Sequence, residues 1–287
     1  MSRPTIRLLV TDLDNTLYDW VGFFASAFNA MVDTALPILS VGRDTLLNEL
    51  QTVHRRHKDS EHPWSLVETR CAIERWPQAD RAERKRLLDP AFHAFNRVRK
   101  ARLTLYPGVQ DTLATLHARG VPILGHTEAS TVSAVDRVQR LGLASFLDRL
   151  YAADVGVPAT DAPLEVVSVP REIHKPNPRV LSEICEGLGI EPEQALYVGD
   201  SISRDVGMAQ QIGMHTAWAA YGTRHLAEDW ATLVRVTHWS AEDVERVATA
   251  RERFGMCEPD ASLESFSELL EHFEFVGAGV DEMTRTA

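Results

Sequence analysis

Residues 8–20 read LLVTDLDNTLYDW. Leu8 to Thr11 make a short run suited to a buried strand, and the run ends on two aspartates, Asp12 and Asp14. Asp-Asn-Thr is ordinary turn chemistry, so a solvated turn is one reading. The other comes from backbone geometry. Residues i and i+2 of an extended chain point the same way, which would stand two carboxylates side by side at the mouth of the strand. Like charges that close repel unless a cation lies between them or one keeps a proton. A metal-dependent active site is therefore the second reading, and the stretch by itself leaves both open.

Short apolar runs ending in small, hydroxyl or acidic residues recur along the chain: GVPILGHT (120–127), LDRLYAAD (147–154), QALYVGD (194–200) and MHTAWAAYG (214–222). Helix-like segments separate them: GVQDTLATLHARG, STVSAVDRVQRLGL, PRVLSEICEGLGI and SRDVGMAQQIG. Three of these close on Gly120, Gly142 and Gly189, a helix-stop signal. Strands alternating with helices predict an α/β fold, a doubly wound parallel sheet covered on both faces. From Val21 to about Leu105 the rhythm breaks. Apolar residues recur there at helical spacing in VGFFASAFNAMVDTAL, GRDTLLNELQTVHRRH, SLVETRCAIERW and RAERKRLLDPAFHAFNRVRKARL. The expected organisation is a core of residues 1–18 and 105–287 with a mainly helical cap domain inserted at 19–104. The Pro-rich stretch VGVPATDAPLEVVSVPREIHKPNP (155–178) reads as a long loop of functional interest. After Arg224 the pattern thins, with a strand expected near Ala261 and a final helix at SFSELLEHF.

Composition excludes several classes. A formal net charge of −11 argues against a nucleic-acid binder working through a basic face. The basic clusters HRRHK (54–58) and RAERKRLL (81–88) have acids nearby and read as solvated helix faces. Cys71, Cys185 and Cys257 are odd in number, far apart and form no CxxC pair, so neither a disulfide framework nor a zinc ribbon is expected. His54 and His57 have i, i+3 spacing but no evident third ligand. No apolar run approaching 18 residues and no signal-peptide core stand out, so a soluble, cytoplasmic protein without a membrane partner is expected.

Doubly wound sheets bind ligands beyond the carboxyl ends of their strands. That edge should gather Asp12, Asp14, Thr127, Asp200 and Asp205, with Lys175 on the loop leading into a helix. Carboxylates with few opposite charges call for a hard cation such as Mg²⁺, which takes oxygen ligands. A cation with a lysine makes a cradle for a phosphoryl group. Each residue also has a plainer role open to it: Thr127 can end a strand, Lys175 can be a surface residue, Asp200 can cap a helix, and Asp205 can pair with Arg204 or Arg171. His126 reads as a structural histidine.

Four motifs in order give the chain a resemblance to the haloacid dehalogenase-like (HAD) superfamily, in the branch with a helical cap after the first strand. DLDNTLYD resembles its DxDxT signature, ILGHT its second motif, HKPNP its third and YVGDSISRDV its GDxxxxD fourth; LYPGVQDTLATLHARG resembles the return from cap to core. The resemblance covers the chain to about Gly222 and implies a HAD-like Rossmannoid core and an Mg²⁺-dependent phosphatase acting on a small phosphorylated metabolite. It implies Asp12 as nucleophile, Asp14 as acid and base, and Thr127 and Lys175 as phosphate-binding residues. The metal would be held by Asp12, the Asp14 backbone carbonyl, Asp200 and Asp205. The cap is then expected to close over the site and choose the substrate, with Arg43, Arg55, Trp64 and Arg70 among the residues that could face it. Two other classes stand beside this reading: a 2-haloacid dehalogenase-type hydrolase, which needs no acid such as Asp14, and a non-catalytic binding or regulatory protein, which needs no intact acid set. Glu128 departs from the pattern, because a carboxylate next to a phosphate site is repulsive unless it turns away.

Overall fold

The computed structural model describes residues 3–62, 64–154, 162–242, 245 and 257–277, and they group into two compact units. The first comprises Met1–Asp19, Thr104–Arg224 and Ala250–Ala287. Its strands are β1 (Thr5–Ile6), β2 (Leu8–Thr11), β3 (Ile123–Ser130), β4 (Arg149–Ala153), β5 (Glu165–Val169), β6 (Ala195–Gly199), β7 (His215–Trp218), β8 (Ala261–Ser262) and β9 (Glu274–Phe275). Seven of them form one parallel sheet in the order β5-β4-β3-β2-β6-β7-β8. The quoted stretch supplies the central strand: every residue of β2 is buried, as a strand covered on both faces must be. Beneath it Leu8, Val10, Leu124, Tyr197 and Leu181 pack into one apolar cluster.

Register carries the site. Thr11 pairs with Gly125 of β3 and with Val198 of β6, and the Asp12 amide donates to the Val198 carbonyl at 2.9 Å. β2 and β6 therefore end together and place Asp12 and Asp200 just past their ends, while Thr127 lies in β3 two residues beyond the partner of Thr11.

Two expectations about this unit are corrected. The stretch 155–178, read as a loop, contains β5, which extends the sheet by pairing with β4. Its flanking prolines and half-exposed side chains disguise it, as suits an edge strand; residues 155–161 of that stretch lie outside the described residues. The run IRLLVTD is not one strand. The chain breaks at Arg7, and β1 pairs with β9 in a separate two-stranded parallel sheet that ties the tail to the N-terminus. The strand expected near Ala261 is β8, and SFSELLEHF forms a 3₁₀ turn at Phe266–Glu268 followed by a short helix at Leu269–His272.

The second unit comprises Trp20–Leu103 together with His225–Thr249. Its helices are α1 (Trp20–Leu39), α2 (Arg43–His57), α3 (Arg70–Arg75), α4 (Arg81–Leu87), α5 (Asp89–Arg102) and, from the tail, a further helix at Ala227–Val236. Residues 225–242, expected in the α/β core, thus group with the helices. The reason is apolar burial: Leu233 and Val236 of that helix are fully buried, and it packs against α1 and α2. α1 also corrects the reading of apolar runs, since it holds an 18-residue window of mean hydropathy 1.3, long and apolar enough by composition to cross a membrane; half of that window is buried within the protein. HRRHK is not simply a solvated face either. His54 is buried, and its Nδ1 lies 2.7 Å from the Val236 carbonyl as donor. α4, by contrast, buries no residue.

Back in the first unit, helices at Val109–Ala118, Thr131–Arg140 and Arg179–Leu188 cover the sheet. Gly120, Gly142 and Gly189 close them at φ of 70°, 69° and 62°, a left-handed turn that a side chain disfavours. The three cysteines are free thiols, Cys71 and Cys185 buried.

Candidate active site

Asp12 follows the last residue of β2 and is 6 % exposed. Its Oδ1 accepts from Lys175 Nζ at 2.5 Å, and its Oδ2 from Thr16 Oγ1 at 3.3 Å. Lys175, equally buried, also donates to Asp205 Oδ1 at 2.8 Å, while Asp205 Oδ2 accepts the Ser201 amide at 3.0 Å. One ammonium thus spans two carboxylates brought from residues 12 and 205. Asp200 is the third acid: one ligand oxygen each of Asp12, Asp200 and Asp205 lies within 4.8 Å of the others. Gly199 is what lets Asp205 approach, since a Cβ there would meet the Asp205 carboxylate at 2.4 Å. Gly222 does the same for the turn after β2, where a Cβ would overlap the Asn15 carbonyl. Tyr221 braces that turn further by donating to the Thr16 carbonyl at 2.6 Å.

Burial sets the charge state. Burial, opposed by Lys175 and reinforced by Asp205 and Asp14, raises Asp12 from 3.8 to about 7. Burial and the neighbouring Asp12 and Asp205 push Asp200 well above the carboxylate range. Lys175 is held well above its ordinary value, because its carboxylate partners outweigh the burial that would neutralise it. Ionised together, the three acids would outnumber the one ammonium and leave negative charge that a dication would balance, and the donors are all oxygen. The residues present fit Mg²⁺.

The Asp14 side chain is paired with a different side-chain cation from Lys175, namely Arg137. Its Oδ1 accepts from Arg137 Nη1 at 2.8 Å, and Arg137 is 1 % exposed, a guanidinium sunk among the apolar residues of its helix. The sequence left a cation between the two acids or a retained proton open; the structure brings Lys175 to Asp12 and Arg137 to Asp14. Arg137 was missed because it lies 123 residues away within an amphipathic helix. The one signal was an arginine on the helix face that otherwise carries Ala134 and Val138, both buried.

Thr127 is buried in β3, where the ladder to β4 shifts register between His126 and Ser130, and its Oγ1 accepts the Ala129 amide at 3.1 Å. His126 is fully buried and held well below its ordinary value by burial and by Lys175, so it is neutral; its Nδ1 meets the Tyr197 hydroxyl at 3.3 Å. Glu128 turns to Arg204 and forms an ion pair with it, which answers the repulsion its position raised. Asp205 pairs with neither Arg204 nor Arg171 but with Lys175.

Fold and site together define a doubly wound α/β hydrolase. The sequence profile of the haloacid dehalogenase-like hydrolases matches residues 6–213, and the chain belongs to that family. Among its relatives is the glyceraldehyde 3-phosphate phosphatase of Methanopyrus kandleri, 28 % identical over 74 % of this chain and 82 % of the relative. The phosphoglycolate phosphatase of Chromobacterium violaceum is also 28 % identical, over 77 % and 88 %. A 2-haloacid dehalogenase structure from Pseudomonas syringae pv. tomato shares the fold at a TM-score of 0.55 and 24 % identity, covering 93 % of this chain and 97 % of that one.

Proposed function

We propose that the protein is an Mg²⁺-dependent phosphatase that hydrolyses a small phosphate monoester through an aspartyl-phosphate. The observation that carries the reading is Asp12, held by Lys175 inside the three-carboxylate cluster; the relatives named as phosphatases support it. Asp12, Asp200 and the backbone carbonyl of Asp14 would hold the metal, with Asp205 directly or through water. Both Asp205 oxygens are already engaged, which favours the indirect arrangement. When bound, Mg²⁺ balances the carboxylate charge and neutralises charge developing on the phosphoryl oxygens.

Asp12 attacks phosphorus as the bond to the ester oxygen breaks, and Asp14 gives that oxygen its proton. Water then attacks the phosphorus of the acyl phosphate, Asp14 takes its proton, and Asp12 and inorganic phosphate are released. Lys175 and Thr127 hold the phosphoryl oxygens, and Lys175 favours the ionised form of Asp12. Arg137 fixes the Asp14 carboxylate in one orientation and is a positioning residue in this scheme. Halide displacement from carbon gives Asp14 no role.

The two aspartates should fail differently. Asp12→Asn has no nucleophile, so neither turnover nor a covalent adduct forms. Asp14→Asn keeps the nucleophile and, with an activated phosphate donor, should be phosphorylated and then stall. Intact-mass measurement reads the added phosphoryl group on the Asp14 variant only. Labelled Asp12→Asn, or wild-type turnover by Asp14→Asn, would overturn the assignment.

A further inference from the structure

A second cluster of ligand-type side chains lies in the helical unit. α2 ends at His57, and Lys58 follows in a left-handed turn at φ 54° that reverses the chain. The reversal stacks the ring of His62 on that of His57, 3.5 Å between centroids and 7° from parallel. A 3₁₀ turn at Ser65–Glu68 then brings Glu68 to both rings: His57 Nε2 is 2.7 Å from its Oε2, and His62 Nε2 is 3.1 Å from its Oε1. The i, i+3 pair visible in the sequence, His54 with His57, is thereby split. His54 turns to the Val236 carbonyl, and His57 finds its companions further along the chain.

We propose that His57, His62 and Glu68 form a binding site for a borderline transition cation of the Zn²⁺ type, with Nε2 of each imidazole and one oxygen of Glu68 as ligands. One ligand atom from each lies within 4.8 Å of the others. Ligands of a tetrahedral Zn²⁺ stand at about 2.0–2.2 Å from the metal and hence about 3.4 Å from one another, so binding requires the two rings to swing out of their parallel stack and the Nε2–oxygen separations of 2.7 and 3.1 Å to open slightly. Two nitrogens and one carboxylate with the fourth position open is a well-formed zinc donor set. All three side chains are partly exposed, so an ion can enter from solvent and water can fill that position.

The surroundings select for metal type. Arg81 Nη2 holds Glu68 Oε1 at 3.0 Å, and Arg56 Nη1 lies 3.7 Å from Oε2. Such outer partners fix a ligating carboxylate in place. The two arginines also add positive charge, which works against a hard cation bound by charge alone. Imidazole donation favours Zn²⁺ or Co²⁺ over Mg²⁺. The competing arrangement is a plain hydrogen-bonded hub in which the rings carry protons on Nε2 and no ion binds.

The test uses the full chain in excess Mg²⁺, which fills the acid cluster, titrated with Co²⁺ and then Zn²⁺. The expected result is one equivalent of Co²⁺ with the visible absorption of a four- or five-coordinate nitrogen-bearing site, displaced by one equivalent of Zn²⁺. His62→Gln and Glu68→Gln should each weaken binding at least tenfold, while Asp200→Asn leaves it intact. Because a substitution could disturb α2, the wild-type protein gives an independent readout: Zn²⁺ should shift the Nε2 resonances of two histidines and no others. Absence of the Co²⁺ band, its persistence in His62→Gln with unmoved histidine resonances, or its loss in Asp200→Asn alone would each overturn the proposal.

Discussion

Both units gather three ligand atoms within 4.8 Å, yet the two clusters are built on opposite principles. In the α/β unit Asp12, Asp200 and Asp205 bring oxygen only, Asp12 and Asp205 are nearly sealed from water, and one lysine opposes three carboxylates. In the helical cluster Glu68 supplies the one carboxylate ligand, partly exposed to solvent, and two arginines and two histidines surround it. The first is a charge deficit awaiting a hard cation. The second has its carboxylate already countered by arginines, and two of the three ligand atoms it offers are imidazole nitrogens. Burial sharpens the contrast, because an unbalanced charge in a low-dielectric site costs far more than one in contact with water.

The strongest way to break this contrast is to remove a cation from each cluster. Lys175→Met should reduce turnover of an aryl phosphate at pH 7 by on the order of 10³-fold, since a buried, preorganised charge is lost. It should also move the rising limb of the pH–rate profile to higher pH, because Asp12, already near 7, loses the charge that lowers it. Arg81→Met, in the half-exposed cluster, should leave turnover unchanged and alter Zn²⁺ binding by only a few-fold. Equal sensitivity of the two clusters would refute the distinction.

A second test follows metal requirement. Asp200→Asn should raise the Mg²⁺ concentration for half-maximal activity by about 10²-fold, as a hard cation loses a charged oxygen. His62→Gln should leave that concentration where it was. If the histidine variant shifts it too, the clusters are not separate in function.

The smallest effect is on stability, and the two units should respond to pH with opposite sign. In metal-free protein Asp12 titrates near 7 folded against 3.8 unfolded, so the folded form binds the extra proton and the α/β unit loses stability as pH rises between those values. His54 titrates near 4 folded against 6.5 unfolded because burial excludes its charge. The unfolded form then binds the extra proton, and the helical unit loses stability as pH falls from 6.5 toward 4, by roughly 3 kcal/mol at most. Hydrogen exchange followed unit by unit should show the crossed slopes, with His54→Gln flattening one and Mg²⁺ the other. Parallel slopes would contradict the burial assigned to these two groups.

Much of this was legible in the chain itself. A buried central strand needs a continuous apolar run, so LLVT announces its place; helices covering a sheet need a 3.6-residue apolar period and a stop, so the glycine-closed segments announce theirs. The acids just past the ends of β2 and β6 were visible for the same reason, since strand ends face a common edge, and Lys175 was visible on the loop before the following helix. These are local properties, set by backbone period and by which residues can tolerate water. Partnership is not local. That Asp12 pairs with Lys175 rather than leaning on Asp14, that Asp14 belongs to Arg137, and that Glu128 is drawn to Arg204 depend on elements tens to more than a hundred residues apart meeting in space. The same holds for β5, half-exposed and flanked by prolines, for the helix at Ala227–Val236, which buries its apolar face among α1 and α2, and for Glu68 folding back on His57. Tertiary structure decided these because a charge or an apolar face is satisfied by whatever the fold brings next to it, and sequence spacing carries no record of that neighbour.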